Sequence, residues 1–225
     1  MTYKLVYLAR RAAKVTREEW PRAWKGHAVF ASQFPALEAK IDWLRYCNRA
    51  ELDQPGLSQA HDGVAVAAGP TLEGLMASGM SDEDRARIEA DELRVFDMPT
   101  QNFTYYCEED VLHDGPLGEA AVWRFFKRRP GTSRAEFTAS WDEHRPIPPS
   151  ATRYVRNHPI HDPLPLFPFD GIGECWFASL EEAVASTGVA RIPPFCDPDG
   201  CVTLITTVSH LWPKSHVVAP AKAGT

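Results

Sequence analysis

The sequence predicts an α+β fold: two ferredoxin-like β-α-β-β-α-β units in tandem within one chain of 225 residues. Three observations predict it. Trp20, Trp24 and His27 have the same separations as Phe137, Trp141 and His144, and that spacing puts each set on one helical face. Each set follows a capping box, Thr16-Arg17-Glu18-Glu19 or Ser133-Arg134-Ala135-Glu136, in which a hydroxyl takes an orphan amide and a glutamate bonds back. After the turn-forming stretch His113-Asp114-Gly115-Pro116-Leu117-Gly118, the order of apolar runs and caps begins again. The units are expected at 1–114 and 119–212, with 213–225 as a loose C-terminal tail.

Lys4 to Ala9 reads as the first strand, apolar almost throughout and ending in Arg10-Arg11. The helix from the Thr16 cap passes through His27 and continues along Phe30, Phe34 and Leu37. Ile41 to Cys47 is a second strand, and a polar loop with Pro and Gly runs from Asn48 to Asp62. Gly63 to Ala68 is a third strand, Thr71 to Ser78 a short helix, and Ser81 caps another. Asn102 to Cys107 closes the first half. In the second half Ala121 to Lys127 is the strand, and the helix carrying Phe137, Trp141 and His144 ends early at Pro146, Pro148 and Pro149. Thr152 to His158, Gly171 to Phe177, a helix capped at Ser179 and Val202 to Val208 complete the pattern. Each half would place its helices on one face of a four-stranded sheet. The other, apolar face would be covered by the sheet of the second half.

A net charge of -6 argues against nucleic acid as a partner, because phosphate binding needs a positive field. Arg10-Arg11 and Lys127-Arg128-Arg129 sit at equivalent strand ends and read as solvated termini more readily than as anion sites. No apolar run approaches a membrane span, and Met1-Thr2-Tyr3-Lys4 leads straight into a strand without a signal-peptide pattern. Five scattered cysteines suit a reducing cytoplasm. Cys196 and Cys201 could meet across Asp197-Pro198-Asp199-Gly200, as a minority disulfide reading. No metal-ligand spacing, Gly-rich phosphate loop or nucleophile elbow is present.

In the second half, Trp141, Glu143-His144-Arg145-Pro146, Tyr154-Val155-Arg156-Asn157-His158 and Asp170-Gly171-Ile172-Gly173-Glu174 before Trp176-Phe177 resemble an EthD domain, of the dimeric α+β-barrel superfamily. The resemblance extends more loosely to the first half through Trp24, His27, Tyr46, Asn48 and His61-Asp62-Gly63-Val64-Ala65. It implies an intrachain version of the two-subunit barrel, either a monomer with pseudo-twofold symmetry or a homodimer of such chains. It also implies a small hydrophobic or aromatic substrate held between sheet and helices, and no cofactor; haem proteins and oxygenases occur in the wider superfamily. Arg49 stands where His158 stands, and Ala67 where Glu174 might, so the second pocket is expected to be the better equipped.

His144 is the leading catalytic candidate, since a histidine titrates near neutrality and this one precedes a forced helix end. Asn157 and His158 point to opposite faces of their strand, and the family pattern favours His158 as the pocket residue. Glu174 either pairs with a base or acts as an acid with a raised pKa. His27 is the counterpart of His144. Trp141, Tyr154, Asn157, Trp123, Trp24 and Tyr46 are the expected substrate-binding residues. The expected function is a cofactor-free, cytoplasmic enzyme performing dehydration, cyclisation, isomerisation or a lyase step by acid–base catalysis. The alternatives are a haem-binding or cofactor-independent oxygenase, and a non-catalytic ligand-binding protein.

Overall fold

The computed structural model describes residues 2–77, 79–189 and 192–212; the expected C-terminal tail lies outside them. Eight strands form one closed antiparallel barrel: β1 (Tyr3–Ala9), β2 (Trp43–Arg49), β3 (Gly63–Gly69), β4 (Thr104–His113), β5 (Ala120–Phe126), β6 (Ala151–Pro159), β7 (Gly171–Phe177) and β8 (Val202–Trp212). The order around the barrel is β1-β3-β2-β8-β5-β7-β6-β4. Strand order thus runs β4-β1-β3-β2 in the first half and β8-β5-β7-β6 in the second. Two seams close the barrel, β2 against β8 and β4 against β6. Closure removes every free sheet edge. The helices α1 (Trp20–Ala31), α2 (Pro35–Glu38), α3 (Leu72–Met76), α4 (Asp82–Val95), α5 (Arg134–Glu143) and α6 (Leu180–Val189) pack outside it.

Alternation along each strand sorts side chains between the barrel interior and the helical layer. Val6, Val66, Tyr105, Phe125, Ile172, Trp176 and Leu204 point inward and are essentially inaccessible. Lys4 and Glu174 are also inside, 2% and 0% exposed. The Lys4 ammonium lies 3.0 Å from a Glu174 oxygen and also pairs with Glu109. Trp176 Nε1 donates to Glu174 Oε1 at 2.8 Å, so the buried carboxylate is fully engaged.

Both capping boxes form, but with different outcomes. Ser133 and Glu136 bond reciprocally and α5 starts at once. Thr16 and Glu19 make the same bonds, yet α1 begins only at Trp20, with Pro21 in its first turn where a missing amide costs nothing. The expected run of α1 to Leu37 is also cut short. Pro35 forces Phe34 into an extended conformation, and the chain restarts as the four-residue α2.

Two local devices occur in both halves. Asp62 and Asp170 each accept the backbone amide at the end of the first strand of their half and pair with its guanidinium, Arg11 in one case and Arg128 in the other. Each aspartate precedes a glycine over which a tryptophan lies. A Cβ at Gly63 would strike Trp24, and one at Gly171 would strike Trp141. Arg11 and Arg128 are therefore strand-end clamps, which corrects the expectation of solvated termini. Register from these glycines also corrects two equivalences. Glu174 corresponds to Val66, not Ala67, and His158 to Asn48, not Arg49.

Candidate functional site

A cavity of about 480 Å³ opens between the outer face of the β4-β1-β3-β2 sheet and α1, α3 and α4. The sequence of β3 creates the space. Its helix-facing positions are Gly63, Ala65, Ala67 and Gly69, so the strand supplies almost no side-chain volume there. Leu5, Leu44, Leu75, Met76 and Ile88 give the cavity an apolar lining, while Tyr7, Tyr46 and Tyr106 add aromatic walls.

His27 lines this cavity and is 5% exposed. Its Nδ1 lies 2.7 Å from Asp91 Oδ2, brought across from α4. The carboxylate accepts the Nδ1 proton, which leaves Nε2 as the basic nitrogen. Burial by itself would raise the Asp91 carboxyl, but hydrogen bonds from Arg94 and His27 outweigh it and hold it below the usual range. Phe96 packs its edge on the His27 ring at 5.2 Å. Nearby, Trp24 Nε1 donates to the Tyr7 hydroxyl at 3.2 Å, and Tyr7 hydrogen-bonds in turn to Tyr46. Burial pushes Tyr7 well up and Tyr46 up to about 12, so both stay protonated as hydrogen-bonding groups. Glu92 also lines the space and accepts from the Thr100 amide and hydroxyl at 2.9 and 2.7 Å. At another part of the wall stand Lys40 and Arg85. Burial, and then the charge of Arg85, lower the Lys40 ammonium.

The second half is built differently at the matching positions. By register Tyr46 corresponds to Arg156 and Tyr7 to Arg124. Arg156 is 1% exposed, donates to the Trp141 carbonyl and pairs with Asp110, with Asp142 at 3.5 Å. A paired guanidinium therefore lies beneath Trp141, where the first half has a tyrosine beneath Trp24.

The expected catalytic residues do not converge. Helix α5 ends at Glu143, and His144 takes an extended conformation after it. His144 is the C-cap residue, its amide still bonded to the Ser140 carbonyl at 3.1 Å, whereas His27 lies within α1. Its ring lies 5.6 Å from Phe195, and burial followed by the charge of Arg156 lowers its pKa. His158 packs tilted against Trp141, centroids 4.6 Å apart, and its pKa is lowered by the same two causes in the same order. Neither histidine lines the large cavity. Glu174 is inside the barrel. Burial would raise its carboxyl, but Lys4 and then the Trp176 hydrogen bond hold it low, so the pairing alternative applies and the raised-pKa alternative does not.

The expected binding residues also divide into three groups. Trp123 and Asn157 face the barrel interior, where Trp123 Nε1 donates to Thr206 Oγ1 at 3.0 Å and Asn157 Nδ2 lies 3.3 Å from Glu174. Trp141 and Tyr154 lie on the helical side of the second half, and burial pushes Tyr154 up to about 12. Tyr46 lines the cavity, with Trp24 stacked behind it at 4.3 Å. Sequence reasoning missed Asp91, Glu92 and Tyr7. Alternation in β1 could have placed Tyr7 beside Tyr46, but nothing local links Asp91 to His27, 64 residues away.

Among the described residues no cluster of three or more His, Cys, Asp or Glu side chains is placed to hold a metal ion, and no helix is long and apolar enough to cross a membrane. No protein-family model matches the sequence, and no curated protein matches it. Solved structures do match. An anthrone oxidase-like protein aligns over 93% of this chain and 92% of its own, with 11% identity and a TM-score of 0.56. A proposed monooxygenase from Fusobacterium nucleatum aligns over 93% of both chains, with 8% identity and a TM-score of 0.55. These likenesses show the fold alone, an eight-stranded antiparallel barrel with helices packed outside it.

Proposed function

We propose that the chain is a small-molecule enzyme whose active site is the first-half cavity and whose base is the His27–Asp91 pair. The observation that carries this reading is the 2.7 Å contact between His27 Nδ1 and Asp91 at the wall of a cavity of about 480 Å³. A carboxylate that fixes the imidazole tautomer, beside an apolar ligand-sized space, is the arrangement a general base requires. His27 Nε2 takes an acidic C–H or O–H proton from a hydrophobic or aromatic substrate. The Tyr46 hydroxyl, polarised through Tyr7 and Trp24, hydrogen-bonds to the oxygen on which negative charge develops. Dehydration, cyclisation, isomerisation and lyase steps all begin this way. In this reading the two halves descend from one EthD-like, ferredoxin-like unit, and the pocket in use is that of the first. His144 and His158 belong to a separate, arginine-filled region, and Glu174 to the barrel interior.

The test is proton exchange. Hydrophobic phenols, aromatic ketones and lactones are incubated with the protein in deuterated water and read by NMR. The wild type should catalyse exchange, or turnover, of some member of the panel, and His27→Ala should lose it. A His27→Ala chain as active as the wild type on that compound would falsify the assignment. A second reading shares the first step. The names of the two structural neighbours favour oxidation, in which the substrate anion left by His27 reacts with dioxygen. Oxygen consumption that tracks substrate loss selects oxidation, and turnover under argon selects the non-oxidative reading.

A further inference from the structure

Far from the cavity, two cysteines meet where the loop before β8 returns to the end of β5. The five cysteines among the described residues are all thiols. Cys196 is fully buried against Phe126, Phe137 and Trp141, with Cys201 packed beside it and partly exposed. The Cys196 thiol hydrogen-bonds to the Cys201 sulfur. The backbone holds both in place. The Lys127 amide donates to Cys201 Sγ at 3.4 Å, Asp197 N donates to the Lys127 carbonyl at 2.8 Å, and Arg129 Nε donates to the Cys196 carbonyl at 3.1 Å. A turn closed by the Gly200 amide on the Asp197 carbonyl at 3.2 Å connects the pair.

We propose that Cys196 and Cys201 are a reactive dithiol that a low-molecular-weight disulfide converts to an intramolecular disulfide. The roles are unequal. The partly exposed Cys201 is the attacking group; the hydrogen bond from Cys196 lowers its pKa, as do the Lys127 amide and ammonium, against the opposing effect of burial. Its thiolate attacks one sulfur of the small disulfide, releases one thiolate and leaves a mixed disulfide. Cys196, having lost its proton, then attacks the Cys201 sulfur and expels the second thiol. Protein dithiol and small disulfide thus become protein disulfide and two small thiols. The remaining cysteines are poor competitors. Burial pushes Cys47 and Cys175 up to about 12, and Cys107 higher still. Phe195 adjoins the pair and packs on Phe137 at 5.7 Å and on His144 at 5.6 Å. The bond would therefore tether the loop that covers the end of α5.

The experiment is incubation of the full folded chain with oxidised glutathione at neutral pH, followed by intact-mass measurement and peptide mapping. The wild type should lose two hydrogens in mass, and the cross-link should map to Cys196 and Cys201. Cys201 should react at least on the order of tenfold faster than Cys47, Cys107 or Cys175. Cys196→Ala should stop at a glutathione adduct on Cys201, and Cys201→Ser should give no adduct at Cys196. A wild-type chain that accumulates a lasting adduct on Cys201, reacts first at another cysteine or stays fully reduced overturns the proposal.

Discussion

Trp24 and Tyr46 lie ring over ring, with centroids 4.3 Å apart and planes inclined by 13°. The stack backs the cavity wall, since Tyr46 lines the space and Trp24 is anchored against Gly63. In the second half the partner of Trp141 is Arg156, with its guanidinium 5.6 Å from the ring. One strand position thus decides whether a half carries a neutral aromatic wall or a buried cation.

His27→Ala should reduce turnover by ~10²–10⁴, the usual contribution of a positioned base. Asp91→Asn keeps the shape but no longer holds a charged partner on Nδ1, so it should lose activity as well, mainly in kcat. His144→Ala, outside the cavity, should change neither constant by more than about twofold if the chemistry runs through His27. Steady-state kinetics on the substrate found by proton exchange compares all three. A large loss in His144→Ala alone would move the site to the second half.

Gly63→Ala and Gly171→Ala each drive a methyl into a tryptophan ring. Each should destabilise the chain by ~1–3 kcal/mol, as overpacking does. Only Gly63→Ala should also weaken binding of a hydrophobic ligand, because Trp24 supports Tyr46. Urea denaturation, with ligand titration by tryptophan fluorescence, separates the two effects.

Lys4→Met leaves Glu174 and Glu109 facing one another inside the barrel. The expected cost is ~3–5 kcal/mol, as for other buried ion pairs that lose one member. The pair also predicts acid sensitivity. The folded-state pKa of Glu174 is depressed, because Lys4 outweighs the opposing burial, so its stabilisation is complete above the ordinary glutamate range. It is lost as the pH falls through the depressed value. Urea midpoints measured down the acid limb should fall less steeply in Glu174→Gln.

His61 gives a second pH signature at a higher range. Burial, and then the charge of Arg10, lower its pKa from 6.5 to about 4. The unfolded chain therefore takes up a proton that the folded chain refuses. The stabilisation from neutral His61 is complete above about pH 6.5 and declines as the pH falls from there towards about 4. Replacing His61 with Gln should flatten the stability profile in that window and leave the Glu174 limb below it.

Much of the fold was legible in the residues themselves. Capping boxes, β-branched and apolar runs, and the Gly115-Pro116 turn ahead of the second half are local signals, and they gave the order of strands and helices. The repeated spacing of tryptophan and histidine falls on α1 and at α5, both of which form. The prolines after His144 likewise marked the early end of α5, which stops at Glu143 with His144 as its C-cap. Glu174 was recognisable as a carboxylate needing a partner, but Lys4 lies 170 residues away.

What the sequence by itself determined is where the chain turns, caps and alternates, because those preferences act over a few residues. Only the tertiary structure decided which side of each strand became barrel interior and which became cavity. It also decided that Asp91, from α4, is the carboxylate beside His27. Those outcomes depend on strand register and on closure of the barrel at β2–β8 and β4–β6. Register is a property of pairs of distant segments, and shifting one strand by a residue exchanges its two faces.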